Sequence, residues 1–417
     1  MSLVQSQTWL AESPASTEEM ALVVADAGWH TTANLFRAID RPNVSSLLLQ
    51  CCDVANARTK GIPIWRWWGS RPEPIGPKQW SQQLVLPPGW MKRYPKIGMK
   101  PIQRAIDRWR RSLPFDGPLA LVMTYPHYRY LRDLVRPDLQ VYLNLDDYAL
   151  YWPAQADEVR ALERQLVAEV DLTACVAQAR AEFLRSVVPE AAARIRHVPH
   201  GTPEAFLSQE VTGKAGPAPS DLDHLPRPLL GYVGGLEDRV DWPLLIRVAE
   251  EFPEASIVLI GKEPKDESGG WYESARRCLA LPNVHAVGFR PQERLGEYLR
   301  SFDACLIPYR VDHPFNQVCC PTKIMDFMGS GRPIVATNLP ECRLYSGVID
   351  VATDTDDFLG AIASLSFLQF DDGREWRRLE LARTNSCRRV VGRLLDALRP
   401  NLAEPIGIRP RSAGLAT

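Results

Sequence analysis

One pattern constrains this chain more than any other, and it occurs twice. Short apolar runs at residues 21–25, 46–49, 84–86, 119–124, 141–145, 172–177 and 196–198 alternate with amphipathic segments such as 154–170 and 180–187. A polar stretch rich in Pro and Gly follows at 208–227. A second series then begins, with apolar runs at 229–233, 256–260, 284–287, 304–307, 334–336 and 348–351 and helical segments at 242–251, 293–301 and 323–328. Strand–helix alternation predicts a parallel sheet covered on both faces. Two such series predict an α/β protein of two Rossmann-like parallel-sheet domains facing a cleft, where ligands preferentially bind. The expected division is a first domain at 1–207, a linker at 208–227, a second domain at 228–380 and a disordered tail at 401–417. A length of 417 residues suits two or three domains.

The totals exclude several classes. A formal net charge of -1 gives no global pull toward nucleic acid. No run approaches the roughly 18 to 20 apolar residues of a membrane span. The first twenty residues lack the basic-then-apolar order of a signal peptide. The nine cysteines form no CxxC pair and read as reduced thiols of a cytosolic protein. The seven histidines are scattered with no HExxH or similar ligand set, and no cofactor is expected.

Parallel sheets bind ligands beyond the carboxyl ends of their strands. In the first series those positions hold Gly28 and Trp29, then Tyr125 and His127, then Asp146 and Asp147. Asp146, Asp147 and His127 are therefore the candidate catalytic residues, since a carboxylate there could take a proton from an acceptor hydroxyl. The alternative is that one Asp caps the next helix while the other is solvated. Gly28, Trp29 and Tyr125 are candidates for the acceptor side of the cleft.

In the second series Gly234 and Gly235 follow the first run, with Arg239 close behind; Lys262, Arg290 and Arg310 follow the next three. Cations after four consecutive strand ends favour a polyanionic ligand. The stretch 316–337 adds a helix that starts near Pro321 and stops at Gly329-Ser330-Gly331. The free N–H groups at such a start can hold a phosphate. Lys323 adds a full charge, and Asp326, three residues on, shares its face and offers a carboxylate to a ribose. The alternative is a surface salt pair on an ordinary helix.

Residues 90–115 are unusual in another way. Between Lys92 and Arg111 lie eight basic residues against one acid, Asp107, while Ile102, Ala105, Ile106, Trp109 and Leu113 share one helical face. Lys92, Arg93, Lys96, Lys100, Arg104 and Arg108 form a candidate patch for an anionic membrane surface. The alternative is a helix that covers the sheet and leaves its basic face solvated, and both can hold at once. No recognition motif for nucleic acid accompanies the basic run.

Taken in order, YVGG (232–235), LIGK (259–262), PNVHAVGF (282–289), DACLIPY (303–309) and PTKIMDFMGSGRPIVAT (321–337) resemble the GT-B glycosyltransferases, most nearly the bacterial group 1, family 4-like enzymes. VYLNLDDY (141–148), VPHGTPEAF (198–206) and RTNSCRRVVGRLL (383–395) resemble their strand-end acidic motif, the stretch before their linker and their final helix. The resemblance implies a nucleoside diphosphate sugar held by the second domain and a glycan or lipid-linked acceptor held by the first. It also implies metal-independent chemistry and a helix at 381–400 that crosses back to the first domain. By position, Asp326 matches the ribose carboxylate. Lys323 with the backbone of Cys320, Pro321 and Thr322 matches the phosphate loop, and Gly234 and Gly235 match the glycine loop. Val318 departs from the pattern where many relatives carry a Glu, Gly235 where an Arg is common, and Cys387 where a Trp is usual. A smaller similar group, the inverting glucuronosyltransferases of exopolysaccharide assembly, uses a first-domain Asp as base, which Asp146 or Asp147 could supply. The expectation is transfer of a hexose or uronic acid to a polysaccharide, lipid-linked or other glycan, in the cytoplasm at the inner face of the cell membrane. The alternative is a non-catalytic nucleotide-sugar-binding or scaffold subunit of a glycan assembly complex.

Overall fold

The computed structural model describes residues 18–59, 61–62, 70–263 and 269–398. The tail expected at 401–417 lies outside them. The first sheet contains β1 (Met20–Ala25), β2 (Val44–Asp53), β3 (Glu73–Gly76), β4 (Gln79–Leu86), β5 (Leu119–Met123), β6 (Leu139–Asn144), β7 (Leu172–Cys175) and β8 (Ile195–His197). They lie in the order β3-β4-β2-β1-β5-β6-β7-β8. The second contains β9 (Leu229–Val233), β10 (Ser256–Ile260), β11 (Val284–Gly288), β12 (Ala304–Ile307), β13 (Ile334–Thr337) and β14 (Asp350–Ala352), ordered β11-β10-β9-β12-β13-β14. Pairing is parallel throughout except between β3 and β4. The protein is thus two parallel-sheet α/β lobes.

Burial explains which strands the sequence announces. Every residue of β1, β5, β10 and β12 is buried, so each reads as a continuous apolar run. β4 starts five residues before the expected run because its Gln79-Trp80-Ser81-Gln82-Gln83 half is polar and only partly covered. β3, with the sequence EPIG, is an exposed antiparallel edge without an apolar signal, and its Pro suits only an edge.

Helices and loops tie the lobes together. The helix Cys387–Leu398 returns from the second lobe to the first, where Val390, Val391, Leu394, Leu395 and Leu398 join one of its core clusters. Arg41 pairs with Asp396 of that helix at 2.9 Å. Glu341 of the second lobe accepts a bond from the Gln178 backbone N–H at 2.9 Å and lies 3.0 Å from His197 Nε2.

The stretch expected to be a linker is strapped to the second lobe. Leu222 is fully buried, Arg227 pairs with Asp303 at 2.8 Å, and Glu375 accepts from the backbone N–H groups of Thr212 and Gly213. The basic helix Lys100–Arg110 buries Ile102, Ala105, Ile106 and Trp109 in the first lobe. Its apolar face therefore covers protein, which corrects any picture of that face dipping into lipid. Lys92, Arg93, Lys96, Lys100, Arg104 and Arg108 stand on the exposed side. Among the described residues, no helix is long and apolar enough to cross a membrane.

Candidate active site

The carboxyl ends of β1, β5 and β6 face those of β9, β10 and β12 across a cavity of about 650 Å³. On the second-lobe side, the chain leaves β9 at Gly234 with φ near 150°, a conformation L side chains rarely adopt. Space demands glycine as well: a Cβ at Gly234 would lie 2.5 Å from Lys323 Nζ, and one at Gly261 would lie 1.8 Å from the Gly234 carbonyl. This close approach brings the β9 loop onto the helix Lys323–Ser330. That helix ends where Gly331 turns left-handed, at φ 75°.

Lys323 is buried. Its ammonium donates to the Tyr309 hydroxyl and lies 4.7 Å and 5.0 Å from the Tyr309 and Tyr232 ring centres. The salt pair with Asp326 that shared helical spacing allowed is not what the side chain makes; it turns to Tyr309 instead. Asp326 lines the cavity, and burial pushes its carboxyl up to about 7 against the opposing pull of Lys323. Arg239 donates to Asn316 Oδ1 at 2.8 Å and to Cys319 Sγ at 3.0 Å, and its guanidinium lies 5.2 Å from the Tyr309 ring centre. Lys262 is exposed at the cavity rim, 5.4 Å from the Phe289 ring centre. Gly235, Cys320, Pro321 and Thr322 also line the cavity.

Arg290 reaches the cavity but is already paired. It bonds Asp221 of the 208–227 stretch at 2.6 Å and the Tyr298 hydroxyl at 2.9 Å. Those pairs also make it a strut that holds this stretch on the second lobe.

On the first-lobe side the two adjacent carboxylates separate. Asp147 caps the helix Tyr148–Tyr151 by accepting from the Ala149 N–H at 3.1 Å, and it pairs with buried Arg180 at 3.2 Å. Its catalytic candidacy is corrected, because capping and the ion pair occupy it. Asp146 faces the cavity. One carboxylate oxygen accepts from the Asp147 N–H at 2.9 Å and the other from the Tyr151 hydroxyl at 2.8 Å. Burial raises its pKa, while those two bonds and Arg239 oppose the rise.

A buried network fixes the Asp146 loop from beneath. Asn144 donates to the Asp146 carbonyl at 3.0 Å and to Glu163 at 2.9 Å; Tyr142 donates to Glu163 at 2.8 Å, and Arg180 bonds its other oxygen at 2.6 Å. Asn144 Oδ1 and Arg180 Nε of this network are buried without a hydrogen-bond partner among the described residues, so it orients the loop without satisfying all of its own polar atoms.

His127 is corrected too. It is buried edge-on against Trp152, 5.7 Å between ring centres, and does not line the cavity. Burial, then nearby Lys92, pull its pKa down to about 4, so the ring is neutral. Gly28 likewise does not line the cavity; its N–H closes a turn onto Asp26 Oδ1 at 3.1 Å. Trp29 and Tyr125 do line it, and the Trp29 indole N–H donates to the Tyr125 hydroxyl at 3.0 Å.

Several lining residues escaped sequence reasoning. His30 and His200 lie at the floor between the lobes, and burial, then His30, pull His200 down to about 4. Tyr151 and Phe289 form parts of the walls. The available signal was position: Phe289 sits directly after a strand end, and Tyr151 falls five residues after Asp146, one turn into the following helix.

Comparisons with known proteins bear on the fold and on the second lobe. Residues 227–366 match the family described as Glycosyl transferases group 1. Over 230 residues the chain is 22% identical to a Bacillus subtilis (strain 168) protein named as a teichuronic acid biosynthesis glycosyltransferase, TuaH. That match spans 54% of this chain and 56% of the relative, so the chain covers little more than half the relative's length. Sucrose-phosphate synthase from Thermosynechococcus elongatus superposes with a TM-score of 0.66 at 13% identity, covering 93% of this chain and all of that one. Anabaena HepE in complex with UDP superposes with a TM-score of 0.61, also at 13% identity, covering 92% of this chain and all of that one.

Proposed function

We propose that this chain, a GT-B protein whose second lobe is a group 1 glycosyltransferase domain, moves a hexose or uronic acid from a nucleoside diphosphate sugar to a hydroxyl of a glycan or lipid-linked acceptor. The observation that carries this reading is one cavity with a cationic wall and a carboxylate wall. Lys323, Arg239 and Lys262 stand on one side, with Thr322 at the start of Lys323–Ser330, and Asp146 stands opposite. The diphosphate lies against the cations, which stabilise its growing charge as the bond to the anomeric carbon breaks. Asp326 accepts from the donor ribose. Asp146 takes the proton of the attacking hydroxyl as its oxygen bonds to the anomeric carbon on the face opposite the departing diphosphate, and that single displacement inverts the sugar. No metal is required, since these side chains supply the positive charge. Two comparisons support the assignment of substrates: HepE has been captured with UDP, and TuaH is named for a glycan polymer.

The same reading places the protein in the cytoplasm against an anionic membrane face. Tyr94 and Ile97, 54% and 68% exposed among the exposed basic residues, support that placement. Co-sedimentation with anionic vesicles that fades with salt is the expected result; no sedimentation at low salt removes this part.

The test of the reaction uses UDP- and GDP-sugars. One nucleotide should raise the melting temperature, and the sugar first released from an α-linked donor should be the β anomer. Absence of stabilisation by every nucleotide defeats the donor assignment. Release of the α anomer defeats Asp146 as base.

A further inference from the structure

We propose that Tyr151 is a gate on Asp146: its hydroxyl holds the place on the carboxylate that an acceptor hydroxyl takes, and so withholds the base from water until an acceptor moves the ring. The inference rests on the reading of Asp146 as base.

The two oxygens of Asp146 are not equivalent. Oδ1 is committed to the protein's own main chain, through the Asp147 N–H at 2.9 Å. Oδ2 is the oxygen available to a substrate proton, and the Tyr151 hydroxyl donates to that oxygen at 2.8 Å. A phenol there is a poor proton donor in the chemical sense: burial first, and then Asp146 itself, push its pKa far above the ordinary value. The contact therefore ties up the base without any transfer.

The ring also spans the cleft. Tyr151 belongs to the first lobe, yet its ring meets Phe315 of the second edge-on, 4.7 Å between centres. Phe315 is backed by the His313 ring at 6.0 Å and the Arg239 guanidinium at 5.8 Å. A side chain fixed only as a support for Asp146 has no need of that second contact. Tyr151 is 46% exposed and ends a helix of four residues; its other ring neighbours, Tyr148 at 6.2 Å and Trp152 at 6.3 Å, lie on its own lobe and leave it room to swing. An acceptor hydroxyl that entered between the lobes would displace the phenol from Oδ2 and the ring from Phe315 in one motion.

What the gate prevents is hydrolysis of the donor. In that reaction a water oxygen bonds to the anomeric carbon and that carbon's bond to the diphosphate oxygen breaks. The electron pair leaves with the nucleoside diphosphate, and the water proton goes to Asp146. With the Tyr151 hydroxyl on that oxygen, water has to compete for it, so the donor is hydrolysed only slowly.

The experiment measures UDP release from UDP-glucose without acceptor, using the full chain and the variants Tyr151→Phe, Asp146→Asn and the two combined. Thermal shift with UDP-glucose establishes that each protein is folded and binds. Tyr151→Phe should hydrolyse roughly tenfold or more faster than the parent, and adding Asp146→Asn should abolish the gain. A gain of activity is not what a merely structural role produces. An unchanged or slower Tyr151→Phe would mean that the hydroxyl only orients Asp146, and the gate is overturned. A gain that persists without Asp146 overturns it as well, because the ring would then be blocking water from something else. Failure of the parent to bind any sugar nucleotide falls instead on the donor reading, and the gate falls with it.

Discussion

The two walls of the cleft are built from the same fold but carry opposite chemistry. Both are the carboxyl ends of parallel strands. The second lobe puts glycines and cations there: Gly234, Gly261, Arg239, Lys262 and Lys323. The first lobe puts aromatic rings and a single cavity-facing carboxylate there: Trp29, Tyr125, Tyr148, Tyr151 and Asp146. Their supports differ as well. Lys323 is held by rings, against Tyr309 and Tyr232, while Asp146 is held by an ionic network centred on Glu163 and Arg180. An ammonium held by ring faces and one hydroxyl can turn toward an arriving anion. A carboxylate loop on a buried ionic network has one position, as a group that must meet a proton at a defined point requires. One fold thus separates stabilising a leaving group from receiving a proton.

Breaking the cationic wall should give the larger effect. Lys323→Ala is expected to weaken binding of UDP by about 1.5 to 3 kcal/mol, the usual worth of a hydrogen bond to a charged group. Calorimetric titration measures it, and unchanged affinity would remove Lys323 from the diphosphate site.

Asp326 sharpens the comparison with a smaller effect, because it is a carboxylate on the cationic side, where Glu237 also lines the cavity. Its carboxyl sits at about 7 in the fold against 3.8 ordinarily. The ionised form accepts hydrogen bonds from a ribose, so affinity for UDP-glucose should strengthen as pH rises, by roughly tenfold from pH 6 to pH 8. Asp326→Asn should flatten that slope. The sign for stability is opposite. A raised carboxyl pKa means that the charged form costs the unliganded fold stability above about pH 7, and this cost vanishes below the unfolded value. The Asn variant should therefore melt higher than the parent at pH 8 and level with it at pH 3. A parent whose affinity is flat across the range would take Asp326 out of ribose binding.

Much of this architecture was legible in the sequence because the buried strands are apolar on both faces. β9, β10 and β12 fall where their apolar runs predict. What failed were elements whose stability comes from a partner rather than from their own composition, such as the edge strand β3 and the polar start of β4. The cationic wall was legible for a related reason: a strand end is a local feature, and charge after it can be counted. The carboxylate wall was not. Nothing in Asp146-Asp147 says which residue caps and which faces solvent, since that depends on Arg180, more than thirty residues later. His127 looked reactive by type and proved to be buried packing. The meeting of Tyr151 with Phe315 joins two segments more than 160 residues apart, and no spacing rule reaches that far. Arg290 illustrates the converse, a correctly placed cation whose partner, Asp221, came from a stretch expected to be slack.

The returning helix Cys387–Leu398 has a consequence for how the protein is made. Val390, Val391, Leu394, Leu395 and Leu398 complete a face of the first lobe, which is made before the second. That face must wait, apolar and uncovered, while nearly two hundred further residues of the second lobe are synthesised. Each of those side chains is worth about 1.5 to 3 kcal/mol on burial, so the nascent first lobe lacks a large share of its stability until residue 398 has emerged. A helix made after the second lobe thus closes the lobe made before it, and a chain stalled ahead of that helix would present to chaperones a sheet with an open side.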